Sequence, residues 1–327
     1  MKGTAMNIKQ AVIALAAAVC LLASCGTTNS AAPATQTTTT SVKAEENKTE
    51  PTATTALSAT SEPITTTGSA SETQAMKTIP QELEEVPQAY FSAASQQGTL
   101  ADLYYDTYES FSYEEKTRPL QKHAVVYLPY GYSDEEQYNI VYLMHGGWSN
   151  ENSTLGTPVS PGRFKNMLDN AIADGKMKPL IVVCPTYNNT NENGQDSDSF
   201  SLAMQLTRNY HNELVNDLIP AVESKYSTYG SRDHRAFVGF SMGSVTTWRT
   251  FQYCLDEFRY FVPMSCGTTL DESEIFAAAK DFDKNDYFVW VMTGTEDFAY
   301  SYDERRVGLM RSSEYFTESD SETDGNF

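Results

Sequence analysis

The sequence predicts an α/β fold: one domain, residues 80–327, on a mostly parallel sheet with helices on both faces. Three observations carry this. Short apolar runs alternate with segments of helical spacing from residue 124 to residue 292. One such run, Ala236-Phe237-Val238, turns at Gly239-Phe240-Ser241-Met242-Gly243 directly into a helical segment. Two further clusters, His145-Gly146-Gly147-Trp148 and Thr293-Gly294-Thr295-Glu296-Asp297, each follow an apolar run, at the strand ends where open parallel sheets keep their chemistry.

Residues before 80 do not belong to that domain. Lys2 and Lys9 give a basic start, and Ala11 to Leu22 is an apolar run short for a bilayer span. It ends in Leu22-Ala23-Ser24-Cys25-Gly26, which reads as a secretory signal segment. The small residues before Cys25 resemble a bacterial lipobox. That resemblance implies a lipoprotein signal peptide over residues 1–25, a lipid on Cys25, a membrane anchor at the new N-terminus and an extracellular, cell-surface location. Residues 26–79 are dominated by Thr, Ser, Ala, Pro and Glu, and no aromatic residue precedes Tyr90. Such a composition buries too little apolar surface to offset the entropy of ordering, so a disordered tether is expected.

Within the domain, Ala124 to Leu128 reads as a strand ended by Pro129. Asn139 to Met144 is nearly all apolar, as a strand buried on both faces should be. Phe164 to Ala173 has helical spacing, with Phe164, Met167, Leu168 and Ile172 on one side. Leu180 to Cys184 is a third strand, closed by Pro185, and an Asn/Asp/Gly-rich loop runs from Asn188 to Asp198. One long helix is expected from Leu202 to Lys225, its apolar face formed by Leu214, Val215, Leu218, Ile219 and Val222. The strand into Ser241, a helix from Ser244 to Tyr253, and strands at Tyr260–Met264 and Tyr287–Met292 complete the alternation.

Charge and cysteine content bound the partners. The formal net charge is −20, and the signal segment carries Lys but no acids, so the remainder is more acidic still. This excludes nucleic acid and anionic surfaces as natural partners. Beyond Cys20 and Cys25 the cysteines are Cys184, Cys254 and Cys266. Cys184 reads as a small core residue, and Cys254 and Cys266 are left open as a possible pair. No His/Cys cluster has metal-ligand spacing, so neither a metal nor a cofactor is expected.

A strand turning sharply into a helix, with Ser241 at the apex between Gly239 and Gly243, is the nucleophile elbow of the α/β-hydrolase fold. A Ser hydroxyl there attacks a carbonyl once a base takes its proton, and backbone N–H groups stabilise the resulting oxyanion. One donor follows the nucleophile, here Met242. The other comes from the His145 loop, where Gly147 is favoured and Gly146 and Trp148 are neighbouring alternatives. Asp297 is the candidate acid that orients an imidazole, preferred over the adjacent Glu296; capping the next helix is its alternative role. Trp148, Tyr187 and Phe298 stand at or just past strand ends, where an aryl ring could stack.

Four blocks, Val126–Tyr132, Tyr142–Gly147, His234–Gly243 and Gly294–Asp297, occur in the order and form of carbohydrate esterase family 1, and resemble its bacterial feruloyl esterases most. The resemblance implies an α/β-hydrolase that releases hydroxycinnamate or acetate from plant cell-wall polysaccharide esters such as xylan, through a Ser-His-Asp triad. Ser241 and Asp297 match two triad members. In the family the His follows the acid, whereas His123, His145, His211 and His234 all precede Ser241. His145 belongs to the oxyanion loop, His211 to the long helix, and His123 and His234 are expected at the wrong end of the sheet. The expectation is therefore a domain cut before its catalytic His and inactive as written, with His145 first in line should it prove active. Two other readings stay open: a glycan-binding lipoprotein that keeps the fold without the chemistry, and an acyltransferase using the same Ser intermediate.

Overall fold

The apolar runs pair edge to edge as one twisted sheet because most of their residues are buried on both faces. In the computed structural model, residues 85–189, 199–319 and 325–327 are described. The signal segment, Cys25 and the 26–79 tether lie outside the described residues, as does most of the Asn/Asp/Gly-rich loop.

The strands are β1 (Thr99–Tyr108), β2 (Pro119–Leu128), β3 (Asn139–Met144), the two-residue hairpin strands β4 (Gly156–Thr157) and β5 (Ser160–Pro161), β6 (Leu180–Cys184), β7 (Arg235–Phe240), β8 (Tyr260–Met264) and β9 (Phe288–Val289). The main sheet has the order β1-β2-β6-β3-β7-β8-β9. From β6 to β9 the strands are parallel, while β2 runs antiparallel to both β1 and β6. The helices are α1 (Arg163–Ala173), α2 (Phe200–Glu213), α3 (Ile219–Lys225), α4 (Met242–Tyr253), α5 (Glu272–Ala277) and α6 (Tyr300–Arg311).

Alternation along the strands splits the core in two. Val125, Val141, Val182 and Val238 face α1 through Phe164, Met167 and Leu168. Val126, Tyr142, Val183 and Phe237 face the other helices, through Leu206, Leu214, Val222, Trp248 and Phe251 among others. Helices therefore cover both faces of the sheet, as the sequence predicts.

Several elements depart from expectation, each for a physical reason. β1 was not anticipated; it is an edge strand that buries only alternate residues, Leu103, Tyr105 and Thr107. The single long helix is interrupted by a π turn, Leu214–Leu218, just before Pro220. Proline lacks the N–H for a regular bond and its ring crowds the carbonyl four residues back, so the wider turn relieves the clash. The strand expected at Tyr287–Met292 is regular only at Phe288–Val289, with one isolated bridge from Met292 to Met264. α6 gave no apolar signal because it buries Asp303 and Arg306 beside Met310. After α6 the chain is anchored by Phe316, which is buried against Phe276, Phe251 and Phe327.

One further correction, and one question left open by the sequence, bear on chemistry. Because β2 is antiparallel, with Val125 opposite Cys184 at the end of β6, His123 lies beyond the carboxyl end of β6, not at the far side of the sheet. Cys184, Cys254 and Cys266 are all buried free thiols, so Cys254 and Cys266 do not pair.

Candidate active site

Ser241 sits between β7 and α4 with φ 57° and ψ −115°, a left-handed strain that a serine adopts only where the surroundings enforce it. The enforcement comes from the flanking glycines. A Cβ on Gly239 would stand 2.1 Å from the Gly243 carbonyl oxygen, and one on Gly243 would stand 2.4 Å from that of Met144. No side chain fits at either place, so β7, the elbow and the end of β3 close on one another. The Ser241 N–H donates to the Met264 carbonyl at 2.9 Å, which ties the elbow to β8. The turn places Met242 at the first position of α4, where backbone N–H groups have no intrahelical partner.

The loop after β3 crosses directly over this elbow. A Cβ on Gly146 would lie 3.4 Å from the Cβ of Ser241, and one on Gly147 would lie 3.9 Å from that of Met242. Ser241, Met242, Gly146 and Gly147 are therefore gathered at one point. Trp148 follows with φ 55° and is 68 % exposed. Phe298 is 70 % exposed, with its ring lying against Gly267, where a Cβ would come within 2.1 Å of the ring.

Tyr187 is corrected from a stacking surface to a support. It is fully buried, its hydroxyl donates to the Gly146 carbonyl at 3.3 Å, and its ring packs on His145 with centroids 4.7 Å apart. Asp297 accepts the Ser265 hydroxyl on Oδ2 at 2.9 Å and the Ala299 N–H on Oδ1 at 2.8 Å. The second contact closes a local turn and is not the helix cap considered for it, since the α6 N-cap is Ala299 with no side-chain cap; the first turns its other oxygen toward the end of β8.

The four imidazoles are committed elsewhere. His145 is buried, donates from Nδ1 to the Gly146 carbonyl at 2.7 Å, and receives the Thr186 hydroxyl on Nε2 at 2.7 Å. Burial is the main cause that lowers its pKa to about 4. His123 lies between Asp102 (2.8 Å) and Glu151 (3.1 Å), with its pKa raised, first by the Glu151 hydrogen bond. His211 stacks on Tyr253, and His234 stacks on Tyr229 and bonds Asn139. Among the described residues no imidazole is hydrogen-bonded to Ser241 or Asp297.

Thr186 and Ser265 escaped the sequence reading. Both follow strands at their carboxyl ends, β6 and β8, and a survey of every strand end would have found them.

The fold and elbow define an α/β-hydrolase. The family described as "Putative esterase" (Esterase) matches residues 120–290, more than half of the chain, and the chain belongs to this esterase family. Among curated relatives, it is 38 % identical over 220 residues to endo-1,4-beta-xylanase Y of Acetivibrio thermocellus, covering 62 % of this chain and 19 % of that protein. It is 35 % identical over 165 residues to the endo-1,4-beta-xylanase/feruloyl esterase of Xylanibacter ruminicola, covering 49 % of this chain and 21 % of that one. The chain thus matches about a fifth of the length of these curated relatives. A solved structure of a Ser-to-Ala mutant of the feruloyl esterase module from Clostridium thermocellum, complexed with sinapinate, superimposes with TM-score 0.64 at 34 % identity, covering 78 % of this chain and 87 % of that one. A CE1 ferulic acid esterase from Anaeromyces mucronatus shares the fold at TM-score 0.53 and 21 % identity, over 68 % of this chain and 84 % of that one.

Proposed function

We propose that the domain is a serine esterase cleaving feruloyl, or alternatively acetyl, esters of plant cell-wall xylan. The strained Ser241 elbow carries the reading: strain of this kind persists where an exposed nucleophile is wanted. Ser241 Oγ attacks the ester carbonyl, forming a C–O bond while a base accepts its proton. The N–H groups of Gly147 and Met242 take the oxyanion, each donor being worth about 3 kcal/mol. Collapse expels the sugar alcohol, which receives that proton, and water then releases ferulate from Ser241 by the same route. Asp297 is the acid that would orient an imidazole base, and among the described residues the four imidazoles are bonded to other partners. Trp148 and Phe298 flank the acyl group.

The same reading makes the protein a lipoprotein held outside the cell through Cys25, supported by the sequence of residues 1–25 and the polar tether behind it. Incubation with a fluorophosphonate and mapping of the adduct tests the catalytic part. An adduct on Ser241 is expected; labelling of another residue, or none, overturns it. Comparison of kcat/KM on methyl ferulate and 4-nitrophenyl acetate decides the acyl group.

A further inference from the structure

The peptide joining Gly146 to Gly147 has glycine on both sides, which leaves it freer to rotate than any other in this loop. Its carbonyl oxygen belongs to Gly146 and its N–H to Gly147. In a planar trans peptide the two point in opposite directions, so whatever fixes the oxygen aims the hydrogen. Two donors fix the oxygen on the buried side: His145 Nδ1 at 2.7 Å and the Tyr187 hydroxyl at 3.3 Å.

His145 can donate from Nδ1 and stay neutral only as the tautomer whose Nε2 is bare. The Thr186 hydroxyl meets that requirement by donating to Nε2 at 2.7 Å. Its oxygen is occupied in turn by the Asn188 N–H at 3.1 Å, which leaves the hydroxyl hydrogen for the imidazole. Thr186 is itself pinned, because its carbonyl accepts from Lys122 Nζ at 2.8 Å. Lys122 pairs with Glu213 at 2.7 Å, and the other Glu213 oxygen takes the Tyr105 hydroxyl at 2.5 Å. Lys122, Glu213, His145, Thr186, Tyr187 and Tyr105 are all buried. An ion pair with no access to water is a costly device for stability alone, since apolar residues of like volume usually serve as well. Here it holds a main-chain carbonyl beneath the site.

We propose that Thr186, by fixing the imidazole ring of His145 in place, is a positioning residue that aims the Gly147 N–H at the ester oxyanion. This rests on the reading of Gly147 as an oxyanion donor. His145 is thereby a strut of the oxyanion loop and not a proton carrier, in keeping with its burial and its depressed basicity. Without the hydroxyl, Nε2 would be an unpaired buried acceptor. The ring, still bonded through Nδ1 to the Gly146 carbonyl, would then lose the contact that fixes its plane, and the carbonyl it holds would turn with it.

The test compares Thr186→Val with Thr186→Ser in the full chain, with exogenous imidazole present as base. Thr186→Val should lower kcat on methyl ferulate about tenfold to a hundredfold with KM nearly unchanged, because the lost interaction exists only in the transition state. Thr186→Ser should restore kcat to within about threefold of the parent, since the hydroxyl returns. Nitrogen-15 NMR of His145 is the readout that a merely structural role would not move. All three should carry the proton on Nδ1, but the Nε2 resonance of Thr186→Val should move downfield to the position of an unbonded ring nitrogen, while the parent and Thr186→Ser keep it hydrogen-bonded. Should Thr186→Val fail to fold, Tyr187→Phe removes the second donor to the same oxygen and should lower kcat about threefold to tenfold. An unchanged Nε2 resonance in Thr186→Val, or unchanged kcat in the folded variants, overturns the proposal while Ser241 labelling leaves the esterase reading intact. A fluorophosphonate adduct away from Ser241 overturns both.

Discussion

Ser265 donates its hydroxyl to Asp297 Oδ2 at 2.9 Å from a left-handed backbone, φ 52°. Its own N–H donates to the Met292 carbonyl at 2.8 Å, so the residue spans the ends of β8 and the segment after β9. Asp297 is thus held from two sides, with Ala299 N–H on the other oxygen. With imidazole supplied as base, Asp297→Ala should lower kcat/KM on methyl ferulate about tenfold to a hundredfold. Ser265→Ala, which removes only a support, should cost about tenfold. A normal rate in Asp297→Ala would move the role to Glu296.

The elbow glycines predict a stability defect apart from catalysis. Gly239→Ala forces a methyl to 2.1 Å from the Gly243 carbonyl oxygen, and that neighbour is backbone, which cannot swing aside. Overpacking of this kind costs about 3 kcal/mol, or roughly 6–12 °C in Tm for a domain of this size. Differential scanning calorimetry measures it. Gly147→Ala, with 3.9 Å of room to the Met242 Cβ, should melt within about 2 °C of the parent.

These glycines also show what the sequence carried. Ser241, Gly239 and Gly243 were legible because the elbow is a local turn whose sterics are written in five consecutive residues. β3, β6 and β8 were legible to the residue because buried parallel strands are continuous apolar runs bounded by polar or proline residues. β1 and α6 were not, since their burial signals are alternate or polar. The orientation of β2, and hence the place of His123, depends on pairing with β6 across more than fifty residues, which no local pattern encodes. The same holds for Thr186 and Tyr187: their meaning lies in which carbonyl they touch.

The commitments of the four imidazoles predict chemical rescue. Turnover of methyl ferulate by this chain should be slow and should rise with added imidazole, because a small base can enter beside Ser241 where no side-chain imidazole is bonded to it. Ser241→Ala should show no such rise, which separates rescue from catalysis by imidazole in solution. His123→Gln, His211→Gln and His234→Gln should each stay within about threefold of the parent. A large loss in any one of these, with the fold intact by circular dichroism, would identify that residue as the base.

Two buried groups predict opposite responses to acid. His145 titrates near pH 4 in the folded protein against an ordinary value of 6.5, chiefly through burial, with Glu151 and Lys122 acting on it in opposite senses. Between those values the unfolded chain binds the proton and the native protein does not, so stability falls as the pH drops from 6.5 to about 4. The loss is on the order of 3 kcal/mol at the lower end. Asp303 titrates near pH 6 against 3.8, raised mainly by burial and partly restrained by Arg306. There the native protein is the better proton acceptor, so its contribution to stability increases as pH falls through 6 toward 3.8. Urea midpoints at about pH 7 and about pH 5 separate the two. His145→Gln should flatten the acid loss, and Asp303→Asn should steepen it. Equal slopes in all three proteins would mean that neither group is shifted.

Trp148 and Phe298 predict the substrate preference. Both rings are more than two-thirds exposed, one following the loop over Ser241 and the other beside Asp297. Large exposed rings cost solvation unless something covers them, and a planar hydroxycinnamoyl group is suited to that by stacking. An acetyl group is too small to reach both. Trp148→Ala and Phe298→Ala should therefore raise KM for methyl ferulate about tenfold each, and change KM for 4-nitrophenyl acetate by less than about twofold. Neither substitution should alter Tm by more than a few degrees, since both side chains bury little area. Equal effects on the two esters would show that the rings do not touch the acyl group, and would shift the substrate reading from feruloyl toward acetyl esters.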